Sequence, residues 1–447
     1  MLPTIFTMDP DKELTSEKLK EFIGLHAARI PRYTRLQNMY LGKHEILDLD
    51  EKEVGKPDNR LVVNFARYIV DTLNGYFVGN PIKTVHPDKE TADRMKLIAK
   101  RNSQNDNNAE LSKMCSIYGH AYEFLYMDEQ SDTRVTRLSP QQGFVIYDDT
   151  IAQNPLYGVR VLKDKEGKLT GTIYSRYTET KFYENDKGDL IQEDPADHYF
   201  GGVPLIEYVE NDERQAAFEG VISLINAYNK AISEKANDVD YFADAYLAIL
   251  GVELDDTILG KIRDHRILNL KAGDLNNIKV EFLDKPNADD TQENLIDRLQ
   301  DLIFQIAMVA NISDEKFGSS SGIALKYKLQ PMENIALMKE RKFTAGMMKR
   351  FCMMFTIPTN FSVAQESYLD IDYVFSRNMP NDLVDEANAV SSIDGIVSKR
   401  TQLSALSIVE NVQDELDEIE KEDALNKTGR SMYGDLPEAS EVDAEIE

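Results

Sequence analysis

Few residues in this chain have the types and spacing that chemistry requires. Asp370-Ile-Asp372 is the most suggestive pattern, because two nearby carboxylates can hold Mg²⁺ beside a phosphate. Ser367 to Phe375 alternates as a strand does, which sets Leu369, Ile371 and Tyr373 on one side and both acids on the other. A solvated strand face explains that placement with nothing added. Asp148-Asp149, and Asp48 with Asp50, are weaker versions of the same pattern. The six histidines are scattered, none at helical spacing with a partner, which argues against zinc. Cys115 and Cys352 lie far apart without ligand spacing and read as small buried hydrophobes in a reducing cytoplasm. No glycine loop carries the Lys-Ser/Thr ending that cradles phosphates, so no motor ATPase is expected, and no Ser/His/Asp arrangement stands out. No catalytic residue, metal or cofactor is expected. A phosphoryl-transfer enzyme using Asp370, Asp372 and a further carboxylate is the alternative.

Contact, rather than catalysis, is suggested by the stretch from Asn311 to Leu329. It is a Gly/Ser-punctuated loop between two long apolar-periodic helices. Before it, Leu295, Leu299, Leu302, Ile306 and Val309 recur at steps of three and four; after it, Leu325, Leu329, Met332 and Ala336 resume the rhythm. Gly318 and Gly322 supply the freedom a tight reversal needs, and Ser319, Ser320 and Ser321 suit a loop that stays mobile. A rigid helical pair with a movable tip is built to touch something that passes by.

The elements that position this tip follow from composition and period. At 447 residues the length suggests about three domains. The balance of 42% hydrophobic and 29% charged residues excludes wholesale disorder. No stretch approaches a membrane span, and the N-terminus lacks a signal peptide's basic end and apolar core. The net charge is −27, which discourages loose adhesion to nucleic acid. It is unevenly spread. Ile408 to Glu447 holds 14 acids against Lys421, Lys427 and Arg430, whereas Ile323 to Phe355 holds seven bases against Glu333 and Glu340. An acidic body with one basic helix could let DNA slide while touching it at chosen points.

Residues 13–42 read as helix, a polar loop passes through Lys56-Pro57-Asp58-Asn59, and Leu61 to Val78 is helical up to the Gly79-Asn80-Pro81 stop. Residues 90–120 are helical with an Asn-rich break at Asn102 to Asn108. From Ala121 to Tyr208 the period becomes two, with turns at Lys165-Glu166-Gly167 and Asp186-Lys187-Gly188, an α+β arrangement with the helices before it. A long helix follows from Glu213 to Asp244. Short strands come next at Tyr246 to Val252, Arg266 to Leu270 and Val280 to Leu283. A helix over 288–311, with Asp290 and Glu293 as its cap, would be about 36 Å long. The helix of 323–355 should kink at Pro331. Asn378 to Asp382 marks a boundary, 382–427 forms polar helices, and the acidic end from Thr428 should be disordered.

Several stretches together carry a resemblance. They are Tyr33-Thr-Arg-Leu-Gln-Asn-Met-Tyr-Leu-Gly-Lys-His44, the run from Asn59 to Ile82, Tyr118-Gly-His-Ala-Tyr-Glu-Phe-Leu-Tyr126, Gly201-Gly-Val-Pro-Leu-Ile-Glu-Tyr208, Asn226-Ala-Tyr-Asn229 and Ser321-Gly-Ile-Ala-Leu-Lys-Tyr-Lys-Leu329. In this order, across about residues 25–425, the chain resembles portal proteins of tailed double-stranded-DNA phages, of the siphophage type found in Gram-positive hosts. No single motif is diagnostic; their order and spacing are.

The resemblance implies an α+β portal fold assembled as a ring of about twelve subunits. It implies a head–tail connector at one capsid vertex of the virion, put together in the host cytoplasm. Double-stranded DNA, read without regard to sequence, would pass through the axis. Terminase large subunit, head–tail adaptor, major capsid and scaffolding proteins would be partners, and no membrane would be. By that pattern 1–212 and 357–380 are wing, 213–244 and 288–311 stem, 245–287 clip, 323–356 the kinked helix, 381–427 crown and 428–447 tail. Residues 312–322 become a tunnel loop, with Ser313, Asp314, Lys316, Phe317, Gly318, Ser319, Ser320, Ser321 and Gly322 facing the channel. Lys316 could approach phosphates weakly and without sequence preference. Lys326 and Lys328 would either damp DNA repulsion or pair with acids of a neighbouring subunit.

Overall fold

The computed structural model describes residues 5–53, 56–243, 247–250, 279–282, 289–312, 322–378, 383–406, 408–409 and 412–432. In chain order come β1 (Phe6–Met8), α1 (Ser16–Ala27), α2 (Ile30–Tyr40), α3 (Phe65–Val78), β2 (Lys83–Val85), α4 (Lys89–Arg101) and α5 (Gln104–Tyr118). Next are β3 (His120–Met127), β4 (Thr133–Leu138), β5 (Gly143–Asp148), β6 (Pro155–Lys163), β7 (Leu169–Tyr174), β8 (Thr178–Glu184), β9 (Leu190–Gln192), β10 (Ala196–Asp197) and β11 (Leu205–Val209). Then follow α6 (Ile222–Ala243), β12 (Leu247–Leu250), β13 (Lys279–Phe282), α7 (Asp289–Ala307), α8 (Gly322–Phe355) and β14 (Asp372–Val374). The chain divides into two units between Asn378 and Met379. The second unit holds α9 (Leu383–Ser392), α10 (Lys399–Ser404) and α11 (Val412–Met432).

The two-residue period builds two sheets in the first unit. One runs β1-β5-β6-β7-β8-β10, with β9 also on β8. Only its β1–β5 pair is parallel. The other runs β11-β3-β4, antiparallel throughout. The run Phe144-Val-Ile-Tyr147 is buried on both faces. Phe144 and Ile146 join Leu19, Phe22 and Ile23 of α1 in one core, while Val145 and Tyr147 join Tyr122, Leu138 and Leu205 in another. An unbroken apolar run is what a doubly covered strand requires.

Several boundaries differ from the sequence reading, each for a local reason. The helix expected over 13–42 is two helices, broken at Ala28–Arg29 ahead of Pro31, whose ring cannot donate to a continuing helix. The helix expected from Leu61 starts at Phe65, capped by Asn64, whose side chain accepts from the Arg67 N–H. Before it the chain is extended and gripped by α6. The N–H groups of Asn59, Leu61 and Val63 donate to Asn237 Oδ1 (2.6 Å), Ser233 Oγ (2.9 Å) and Asn229 Oδ1 (2.9 Å). Four helical residues rise about as far as two extended ones, so the spacings match.

The break between α4 and α5 is confined to Asn102–Ser103, and Asn105 to Asn108 are helical. The stretch from Glu213 becomes helical only at 3₁₀ residues Glu219–Val221 and then α6. α7 ends at Ala307 rather than 311, next to Met308 at φ 54°. α8 passes through Pro331 without interruption. Ser367 to Phe375 is not one strand, since Gln365–Asp370 is 3₁₀ and only β14 is extended. Thr428 to Met432 continue α11, so disorder does not begin at 428. β12 and β13 pair antiparallel; the strand expected at 266–270 lies outside the described residues. Among the described residues no helix is long and apolar enough to cross a membrane.

Candidate DNA-contacting loop and the helix that carries it

Of the loop residues singled out by sequence, Ser313, Asp314, Lys316, Phe317, Gly318, Ser319, Ser320 and Ser321 lie outside the described residues. Gly322 is the first residue of α8, and Lys326 and Lys328 are exposed one turn further on. What the structure does show is how α8 is fastened.

The apolar stripe of α8 is Leu329, Met332, Ala336, Phe343, Met347, Phe351 and Met354, all buried. Lys339 and Arg350 fall on the same stripe by spacing, and both are turned inward. Arg350 grips Glu123 of β3 with two nitrogens, each 2.7 Å from a carboxylate oxygen, and donates to Asn108 Oδ1 at 2.8 Å. The same carboxylate accepts from Tyr208 Oη at 2.9 Å. Lys339 Nζ lies 2.8 Å from Glu210 and donates to Ser116 Oγ (2.5 Å) and to the Ser112 carbonyl (3.1 Å). Two desolvated ion pairs thus pin α8 to α5, β3 and the end of β11. Between them Gly346 faces the Tyr208 ring so closely that a Cβ would stand 2.4 Å from Cε1. On the outer flank Arg377 clamps Glu333 (2.9 Å) and Glu340 (2.8 Å).

This refines the reading of 323–355 as one basic helix. Lys339 and Arg350 are spent inside, Lys342 pairs with Asp212 at 2.5 Å, and the exposed bases are Lys326, Lys328, Arg341 and Lys349. The signal was present in the sequence, as a base standing at steps of three and four on an apolar face.

A second buried cluster lies where β11 meets the chain leading to α6. Arg214 Nε is 2.7 Å from Glu207 Oε1, and His120 Nδ1 is 3.1 Å from the same oxygen. Tyr147 donates to Glu207 Oε2, and Tyr33 Oη is 3.2 Å from His120 Nε2. Burial pushes the His120 imidazole below its usual range, against the pull of Glu207. Burial alone would raise the Glu207 carboxyl; the Arg214 hydrogen bonds and the adjacent His120 imidazole more than offset it and hold it well below the usual range.

The sign of the pH dependence follows. Unfolded chains take up the His120 proton near pH 6.5 and the folded protein only at lower pH, so this contribution to stability is lost as pH falls below 6.5. The Glu207 contribution is lost in turn below about 4.5. The urea midpoint is expected to fall between pH 7 and 5, and His120→Asn to flatten part of that limb. His26, His44 and His198, also shifted down, keep the rest. An unaltered limb in His120→Asn would remove His120 from the account.

Asp370 and Asp372 are both exposed, on the last 3₁₀ residue and the first residue of β14. Between them Ile371 is buried, but Leu369 is exposed rather than sharing its side. No group of three or more His, Cys, Asp or Glu side chains able to hold a metal occurs among the described residues. Asp148 is buried and caps its own turn through Thr150 and Asn154. Nothing supports the phosphoryl-transfer alternative.

The chain is similar over most of its length to phage portal proteins. It is 22% identical over 436 residues to the portal protein of Clostridium phage phiCD119, covering 89% of this chain and 94% of that one. It is 21% identical over 417 residues to the portal protein of Bacillus phage SPP1, covering 88% and 81%. Among solved structures, the neck of a native GTA particle computed with C12 symmetry aligns at TM-score 0.43 and 10% identity, covering 76% of this chain and 89% of that one. The neck of an empty GTA particle computed with C6 symmetry aligns at 0.42 and 10%, covering 75% and 88%. The family described as phage portal protein, SPP1 Gp6-like, matches residues 19–428. The chain belongs to that family.

Proposed function

We propose that this portal protein assembles as a homo-oligomeric ring of about twelve copies at one vertex of a phage capsid, and that double-stranded DNA passes through its axis. The family match across residues 19–428 carries the reading. Its role is mechanical: it supplies geometry for capsid assembly, packaging and ejection, while terminase and a head–tail adaptor dock on it from outside. Residues 312–322 are the part offered to the duplex, on a helix that two buried ion pairs hold rigid. A chain with a net charge of −27 fits a conduit that does not grip phosphate. Negative-stain imaging of the purified protein is expected to show rings with a central hole wide enough for duplex DNA. A population of monomers or solid particles at every concentration overturns the reading.

A further inference from the structure

We propose that the outer face of α8 docks against the strap formed by residues 41–53 and 56–61 of a neighbouring copy of this chain. The inference rests on the ring reading above and names the surfaces that would build it.

Opposite its buried stripe α8 carries a second one. Tyr327, Pro331, Asn334, Met338, Arg341, Ala345 and Met348 follow at steps of four and three, and all are exposed. Tyr327 is 76% exposed and Met338 61%. A single exposed methionine needs no explanation, but a tyrosine and two methionines aligned along about six turns form a patch. Beside the stripe stand Lys326, Arg341 and Lys349, none with an ion pair among the described residues.

The strap is its counterpart. The extended residues 59–63 are held on α6 as described, and Arg60 ties the loop before them by donating to the Leu47 carbonyl at 3.1 Å. Leu41, Leu47, Leu49 and Leu61 stand exposed along it, Leu49 at 58%. Asp48, Asp50 and Glu51 lie among them without an ion pair among the described residues.

On the strap Lys52, Lys56 and Arg60 are already paired with Glu234, Glu53 and Asp58, so beyond Lys43 its remaining charge is acidic while that of the α8 face is basic, and either face meeting its own copy brings like charges together. They can meet each other. Two different patches on one molecule make a head-to-tail contact, and such a contact, repeated, closes into a ring when its rotation divides the full turn. DNA is the competing occupant of the α8 face because of the bases. Met338 and Met348 offer phosphate nothing, which favours protein.

The test uses full-length protein in sedimentation velocity, with duplex-DNA retention measured in parallel. Lys326→Glu with Arg341→Glu, or Asp50→Lys with Glu51→Lys, is expected to cut the ring fraction about tenfold or more, and the four changes together to restore it. Leu49→Cys with Met338→Cys is expected to give cross-linked ladders with a short bismaleimide. It also covers the case in which a charge reversal fails to fold. Rings indifferent to the reversals, reversals that lose only DNA retention, or a four-fold change that restores nothing each overturn this inference while the ring stands. A wild-type protein that never forms rings overturns the ring reading itself, and this one with it.

Discussion

Arg350→Ala is expected to lower the unfolding free energy by about 3–5 kcal/mol, read as a fall in urea midpoint. The argument is one of asymmetry. Burial of Arg350 disfavours its charge, but Glu123 facing it raises the guanidinium's pKa above its ordinary value. Removing the cation leaves Glu123, itself almost inaccessible, with Tyr208 Oη and Gln104 Nε2 as the remaining donors to its oxygens among the described residues. A carboxylate without its counter-ion in that setting must be neutralised or flooded. Replacing both partners, Arg350→Met with Glu123→Met, is therefore expected to cost less than either single change. Additive losses would show that the two side chains act independently.

That clamp shows how legibility in the sequence divides. The helix period of 323–355, the strand period of 121–208 and the Gly79-Asn80-Pro81 stop are local signals, and the elements follow them closely. Asp370-Ile-Asp372 failed because three alternating residues cannot distinguish a short strand from the end of a 3₁₀ turn. Partnerships were hidden for a different reason. Glu123 and Arg350 are 227 residues apart, and nothing near either names the other. The same holds for Asn59, Leu61 and Val63 against Asn237, Ser233 and Asn229. From sequence, those three α6 residues are merely polar. In the structure they replace the hydrogen bonds a neighbouring strand would have supplied to an extended segment. The period of α7 was legible but its face was not. Leu299 and Val309 are buried as expected, but Leu295 and Ile306, counted on the same side, are exposed, and Ile296, Ile303 and Ala307 are buried in their place. An overlapping stripe offers two faces, and only the partner decides between them.

Gly119→Ala is expected to destabilise the first unit on the order of 2–4 kcal/mol. Two effects of the same sign act there. Gly119 ends α5 at φ +89°, in the left-handed region, where a Cβ costs about 1–2 kcal/mol. In addition, that Cβ would lie 2.0 Å from the Arg214 carbonyl oxygen and 2.3 Å from its carbon. The obstacle is backbone, and it cannot swing aside. The Arg214 carbonyl is held by Arg32 Nη2 at 2.9 Å, Arg32 is in turn anchored on Glu219, and the Arg214 side chain is committed to Glu207. Shifting residue 214 therefore disturbs the Glu207 cluster, the join to α2 and the start of α6 together. The Gly119 carbonyl accepts from the Glu210 N–H at 2.8 Å, which places the clash beside the Lys339 clamp as well. If Gly119→Ala instead melted within a degree of wild type, the 214 segment would have to be softer than these contacts make it. Gly24→Ala, where a Cβ meets nothing within 4 Å, is the control and should be neutral or slightly stabilising.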